Sequence, residues 1–329
     1  MPTHDDDIHP VGADKAWSES YYFNFYDPER EVGMFTRMGL RPNEGWCDAL
    51  HVVYLGGERV AFTYGREALP EMTDRLQVGG LKLTRSEPFK RWTVAYDGPA
   101  QDIADPAILI TRRRERPEGW FRPANLDMSV EFEALAEPHY SGEGQRGHFE
   151  QPGAVRGTVK LGDETWDVSG YGVRDKSWGP RNWSGGRTES PATTEQPGHE
   201  PRPFINWFSM NFGADIALGG TCGRGPNGQL TGSGWIHANG KTQSLTQLRV
   251  DDSSYKPGSI LHAGMHLTAR AEDGAVYNIT GDVITVCPTK IPMPQGATFV
   301  NEGLARFTMG GVTGYGIAEY WHNIARDDD

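Results

Sequence analysis

Apolar and polar side chains alternate with a period of two along most of this chain. "WSESYYFNFYD" (17–27), "FKRWTVAYDG" (89–98) and "MSVEFEALAEPHY" (128–140) each put aromatic or branched residues on one face and polar residues on the other, as half-buried strands do. "DALHVVYLGGERVAFTYGRE" (48–67) reads as strand, Gly56-Gly57 turn, strand, and "GTVKLGDETWDVSGYGVRD" (157–175) as a hairpin turning at Gly162-Asp163. A stretch poor in apolar residues, "GGRTESPATTEQPGHEPRP" (185–203), then breaks the pattern. Beyond it lies a second meander, with turns at Asn227-Gly228, Asn239-Gly240 and Asp273-Gly274. Only "REALPEMTDRL" (66–76) has helical spacing, and Pro70 interrupts it. The pattern predicts an all-β protein of two antiparallel barrels or sandwiches, with domains at 1–190 and 191–329 and their junction in the polar loop. Small barrels of this kind commonly hold one apolar ligand.

Composition agrees. The 329 residues include 42 glycines and 22 prolines spread along the chain, which suits many short strands joined by turns. A net charge of −12 disfavours nucleic acid and anionic membrane surfaces as partners. The single basic run, Arg112-Arg113-Arg114, is diluted by Glu115 and Glu118 and reads as a solvated strand end. No apolar run is long enough to suggest a membrane span, and the acidic start "MPTHDDDIHP" shows no secretory signal. Cys47, Cys222 and Cys287 are too dispersed for a disulfide framework, which points to a reducing, cytoplasmic setting. Both "HDDD" near the start and "RDDD" at the end read as solvated tails. Oligomeric state is left open, a homodimer being compatible with the chain.

Chemistry concentrates in "SGYGVRDKSWGPRNW" (169–183), where charge and aromatic surface are packed between glycines. In a strand Tyr171, Val173 and Asp175 share one face, and Gly172, Arg174 and Lys176 the other. If the first face points into a barrel, burial would favour protonated Asp175 and make it a general acid. The alternative is that Asp175 pairs with Arg174 or Arg181 and braces the corner. In "GHFEQPG" (147–153), His148 and Glu150 also share a face and could form a base or proton relay, or be polar residues of a strand edge. They would give two metal ligands where a catalytic site usually needs three, so no metal is assigned. No phosphate-binding glycine loop and no G-x-S-x-G elbow is present, so no nucleotide cofactor and no serine hydrolase is expected. Ten tryptophans and "YYFNFY" (21–26) supply aromatic surface for a core or for a greasy ring system in a cavity.

"WSESYYFNFYDPE", "RMGLRPNEG" (37–45), "HFEQPG" and "GYGVRDKSWGPRNW" together resemble the AttH-like group of double lipocalin-like proteins. That group is related to bacterial carotenoid 1,2-hydratases, fungal kievitone hydratase and lipocalin-like Diels–Alderases. The resemblance is strongest over 17–45 and 148–183 and faint beyond about residue 205. It implies two calycin-type barrels, an apolar pocket and no cofactor. In the carotenoid hydratases a histidine and an aspartate protonate an alkene, and the matching positions here are His148 and Asp175. Glu150 and Val173 stand where those hydratases have tryptophan and tyrosine, which shifts the expected chemistry toward proton removal.

The expectation is therefore a cofactor-independent lyase, hydratase or isomerase acting on a hydrophobic terpenoid, steroid or aromatic substrate. Asp175 is the expected acid, with His148 and Glu150 as the base or water-positioning pair. Tyr171 and Trp178 would line the pocket, Arg174 or Arg181 would hold the carboxylate, and Tyr22 and Asn24 are further candidates for substrate contact. The rivals are a carrier of lipophilic compounds, which returns its ligand unchanged, and a metal-dependent β-barrel enzyme.

Overall fold

The computed structural model describes residues 5–181, 203–293 and 296–325. The polar loop read as the domain junction falls outside them except for Pro203, as do Trp183, His4 and the terminal "RDDD". The chain divides into two units, Met1–Ala104 with Phe121–Arg181, and Asp105–Trp120 with Asn182–Asp329. Among the described residues no helix is long and apolar enough to cross a membrane.

The first unit consists of β1 (Trp17–Asp27), β2 (Val32–Arg41), β3 (Trp46–Leu55), β4 (Val60–Ala68), β5 (Gln77–Val78), β6 (Leu81–Glu87), β7 (Arg91–Ile103), β8 (Arg122–Ala134), β9 (His139–Gly142), β10 (Gly147–Leu161) and β11 (Glu164–Pro180). Its strands run in the order β4-β3-β2-β1-β11-β10-β8-β7-β6-β5, with β9 beside β10. β4 also pairs with β7, through Val60↔Ile103, Ala61↔Asp102 and Phe62↔Gln101. The path from β4 to β7 thus returns on itself, which removes two exposed edges. Inside lie Phe23, Met38, Trp92, Val94 and Phe132, all 0–1% exposed.

The second unit is a simpler meander, β12 (Ile205–Asn211), β13 (Ile216–Arg224), β14 (Leu230–Ala238), β15 (Lys241–Tyr255), β16 (His262–Ala271), β17 (Val276–Met293), β18 (Gly296–Met309) and β19 (Val312–Ala325). Each strand pairs with the next and β19 pairs with β12, closing an eight-stranded barrel. The β14–β15 loop shows why the sequence folds this way. Asn239 and Gly240 both have positive φ (54° and 71°), the two-residue turn whose twist matches a hairpin. Phe208, Leu218, Ile236, Leu248 and Phe307 fill the interior.

Three local expectations are corrected. Residues 66–76 are not helical: β4 extends to Ala68, paired with Trp46, and the Leu69 amide bonds the Gly45 carbonyl at 2.9 Å. The sheet ladder outweighs the short helical period, and Pro70, lacking an N–H, begins the loop. Arg113–Glu115 form a 3₁₀ turn, with Arg113 and Arg114 exposed, rather than a strand end. The aspartates near the start are not a solvated tail: Asp6 is 1% exposed and His9 is 8% exposed.

The fourth correction concerns β11. Alternation holds as expected, but the face carrying Arg174 and Lys176 is the one that enters the barrel. Their cross-strand partners on β1 are Phe23 and Tyr21, both core residues. Arg174 and Lys176 are 1% and 0% exposed. Asp175 therefore lies on the opposite face of the sheet, outside the apolar lumen where the sequence placed it.

Candidate active site

On that opposite face, five strands align side chains in rungs. One rung runs Glu150 (β10), Asp175 (β11), Tyr22 (β1), Arg37 (β2) and Leu50 (β3), each directly opposite the next. The neighbouring rung runs His148, Ser177, Ser20, Gly39 and Asp48. Opposed residues on one face have Cβ atoms about 5 Å apart, so local alternation and register bring His148, Glu150 and Asp175 together. Two carboxylates facing each other would repel, and the histidine resolves this. His148 Nε2 hydrogen-bonds Asp175 Oδ2 and lies 3.7 Å from Glu150 Oε1, while Nδ1 bonds Ser141 Oγ on β9.

His148 is the electrostatic centre of the group. Removal from water pulls its pKa down, but the Asp175 charge and hydrogen bond, with Glu150 adding attraction, push it up to about 9. At neutral pH the ring is an imidazolium between two carboxylates. Arg181, a further positive charge near the ring, donates to Ser177 Oγ at 3.1 Å. The side chains of His148 and Asp175 keep 25% and 18% exposure, enough for a small reactant to reach them.

The same three residues answer the metal question differently from the sequence. His148 with Glu150 gave two ligands, and Asp175 supplies a third: one ligand atom from each lies within 4.8 Å of the others. One nitrogen and two carboxylate oxygens suit a divalent cation. To bind it, His148 would have to give up the proton that its raised pKa favours keeping.

The other expected residues separate. Tyr22 sits beside Asp175, and Tyr171 shares its face but lies four residues away, about 13 Å along the strand. Asn24 Oδ1 accepts from the Val173 amide at 3.1 Å, a bond that holds β1 to β11. Arg174 and Trp178 are not brought to the carboxylate. Both have the parity of the lumen face, where Arg174 bonds Asp6 and Gln151 and Trp178 stacks on His9 at 4.0 Å.

Ser141 and the Arg37–Asp48 ion pair (3.0 Å) were not singled out from the sequence. A signal existed for the second. Gly39 stands two residues from Arg37 on β2 and directly opposite Asp48 on β3, and a Cβ there would sit 2.2 Å from Arg37 and 2.7 Å from Asp48. The "RMGLR" motif thus encodes a space for an ion pair. Arg37 and Asp48 side chains are each 15% exposed, whereas Phe35 and Val52, one rung away, are fully buried.

This is the site of a double β-barrel protein, and comparison with known proteins gives it a family. The chain matches the model described as "Domain of unknown function (DUF7064)" over residues 2–324, and it belongs to that family. No curated protein sequence matches it. Among solved structures it resembles a protein assigned as AttH from Nitrosomonas europaea, at 12% identity and a TM-score of 0.56, covering 96% of this chain and 99% of that one. Kievitone hydratase from Nectria haematococca is similar at 10% identity and a TM-score of 0.53, covering 93% and 89%. At these identities the likeness is one of fold, and it is the fold of the AttH-like group that the sequence motifs resembled.

Proposed function

We propose that the protein is a cofactor-independent lyase or hydratase, acting by acid–base chemistry on a hydrophobic terpenoid, steroid or aromatic substrate. The observation that carries this reading is the placement of His148 between Asp175 and Glu150. It favours an assignment opposite to the one expected from sequence. The dissociable proton resides on His148, and Asp175 orients and relays it. In the hydration direction this proton goes to an alkene carbon, water adds to the cation that forms, and the water's proton passes to Glu150. Return of that proton across 3.7 Å to His148 closes the cycle. Elimination is the same sequence reversed. Tyr22 supplies an aromatic wall, and Arg37 with Asp48 orients an oxygen of the substrate. The fold shared with a kievitone hydratase is consistent with such chemistry. The three free, buried cysteines fit a cytoplasmic setting.

The test is incubation of the purified protein with a panel of lipophilic alkenes and alcohols, followed by mass analysis for gain or loss of one water. His148→Gln and Asp175→Asn should each lower turnover by about 10²–10⁴ while leaving the melting temperature within a few degrees. Ligands bound and returned unchanged, or variants that turn over like the parent, would defeat the proposal and leave a carrier. A second reading, a divalent-cation enzyme, is favoured by the three converging ligand atoms. Turnover undiminished after chelation and dialysis would eliminate it.

A further inference from the structure

The lumen face of β11 holds a second constellation, independent of His148. Arg174 and Lys176 are cations inside an apolar barrel, with Arg174 over the Trp92 and Phe149 rings at 5.6 and 4.9 Å. Burial pulls the pKa of Lys176 down, and the Glu19 carboxylate, 2.9 Å away, pulls it back. Arg174 has no such neighbour on the barrel wall. Its carboxylate comes from residue 6, more than 160 residues earlier in sequence, at 2.7 Å.

The chain around Asp6 is gripped as a ligand would be. One carboxylate oxygen takes the Arg174 guanidinium and the other takes the Phe89 amide at 2.7 Å. The flanking carbonyls are held too, those of Asp5 and Asp7 by Lys176 and that of Asp6 by Arg85 at 2.5 Å. Arg85 also pairs with Asp7 at 2.6 Å. Two details mark the wall as a built receptor. Phe89 adopts a φ of 57°, unfavourable for a bulky L-residue, and its carbonyl is fixed by Gln151 at 2.7 Å, so its amide faces the carboxylate. Arg174 Nη2 has no hydrogen-bond partner although the residue is 1% exposed. Asp6 thus engages one prong of a fork that accepts carboxylates with two.

We propose that the first barrel contains a carboxylate-binding site, built from Arg174, Arg85 and the Phe89 amide, which the chain fills in cis with Asp6 and which accepts a free carboxylate when that side chain is removed. An acidic peptide or a small organic acid is the ligand class, because the site combines a guanidinium fork, a backbone donor and cations for the neighbouring carbonyls. A neutral amide of the same shape would leave the guanidinium charge uncompensated.

The test uses the full-length chain with Asp6→Gly, read by thermal unfolding. The melting temperature should fall by roughly ten degrees, and formate or acetate should restore more than half of that loss with a saturable dose dependence. Chloride at equal ionic strength, and formamide or acetamide, should restore none of it. Adding Arg174→Met should abolish the rescue by carboxylates. Where Asp6→Gly does not fold unaided, the yield on refolding in formate against formamide is the readout, with at least a fivefold excess expected in formate. An unchanged melting temperature, rescue equal with amides or chloride, or rescue that survives Arg174→Met would each overturn the proposal.

Discussion

Both barrels bury neutral polar groups without hydrogen-bond partners, His51 in the first among them, but they differ in the charge they bury. The first carries ionised groups in its lumen, Arg174 and Lys176 against Asp6 and Glu19, and nearly every charge has a partner within 3 Å. The second carries neutral ones. Asn301, Tyr320 and Asn206 form a rung across β18, β19 and β12, His262 stacks on Tyr320 at 4.1 Å, and His322 lies next along β19. Several of these groups are unpaired, including both ring nitrogens of His322 and both amide atoms of Asn206. Burial explains the difference. A charge without a partner in a lumen costs several kcal/mol, whereas an unpaired neutral group costs about 1–3. A barrel closed by its own meander tolerates the second, but the first needs a counter-ion brought from elsewhere in the chain.

The contrast predicts a graded set of outcomes. Glu19→Ala, which strips Lys176 of its carboxylate and removes the acceptor of the His9 amide, should cost about 3–5 kcal/mol in denaturant unfolding. A loss below about 1 kcal/mol would mean that the first lumen does not depend on ion pairing. Acid should act next, and on the second barrel. Burial first, then the mutual proximity of the two rings, lowers His322 to about 3, and burial lowers His262 to about 3. An unfolded histidine titrates near 6.5, so the unfolded chain takes up these protons first. Stability is then lost as pH falls from about 6.5 toward 3, at about 1.4 kcal/mol per pH unit for each histidine. His322→Leu should flatten that limb, and an unchanged slope would contradict the assignment. His51 of the first barrel, lowered to about 3 by burial alone, adds a slope that this variant leaves in place.

His148 has the opposite sign. Its folded pKa of about 9 lies above the unfolded value, so its contribution is complete below about pH 6.5 and disappears as pH rises through 9. His148→Gln should remove an alkaline slope over that window, measured as the melting temperature between pH 6.5 and 9.5. The smallest effect belongs outside the first barrel. Arg156 pairs with Glu131 at 2.9 Å but is 69% exposed, and Arg156→Ala should cost about 0.2–1 kcal/mol. A loss as large as that of Glu19→Ala would show that charge itself, rather than its burial, sets the energetics.

Much of the candidate site could be read from period-two alternation. His148 and Glu150 share a face, as do Tyr171 and Asp175, and the turn residues Gly56, Gly162 and Asn239 end strands where expected. The side of the sheet that faces the lumen could not be read this way. Both faces of 171–178 carry charge and aromatic surface, so alternation left two equivalent choices. The deciding partners, Asp6 and Glu19, are far away in sequence, and three consecutive aspartates look solvated until a buried guanidinium is set beside them. Ser141 escaped for the same reason, since only the pairing of β9 with β10 brings it to His148.

The amino-acid sequence by itself determined the strands, their turns, the all-β class and the grouping of residues by face, because these follow from local backbone preference and a repeat of two. Tertiary structure alone decided which face went inside, which carboxylate met which cation, and that His148 came to lie between Asp175 and Glu150. Those outcomes depend on register between strands remote in the chain and on the cost of isolating charge from water, and neither is a local property.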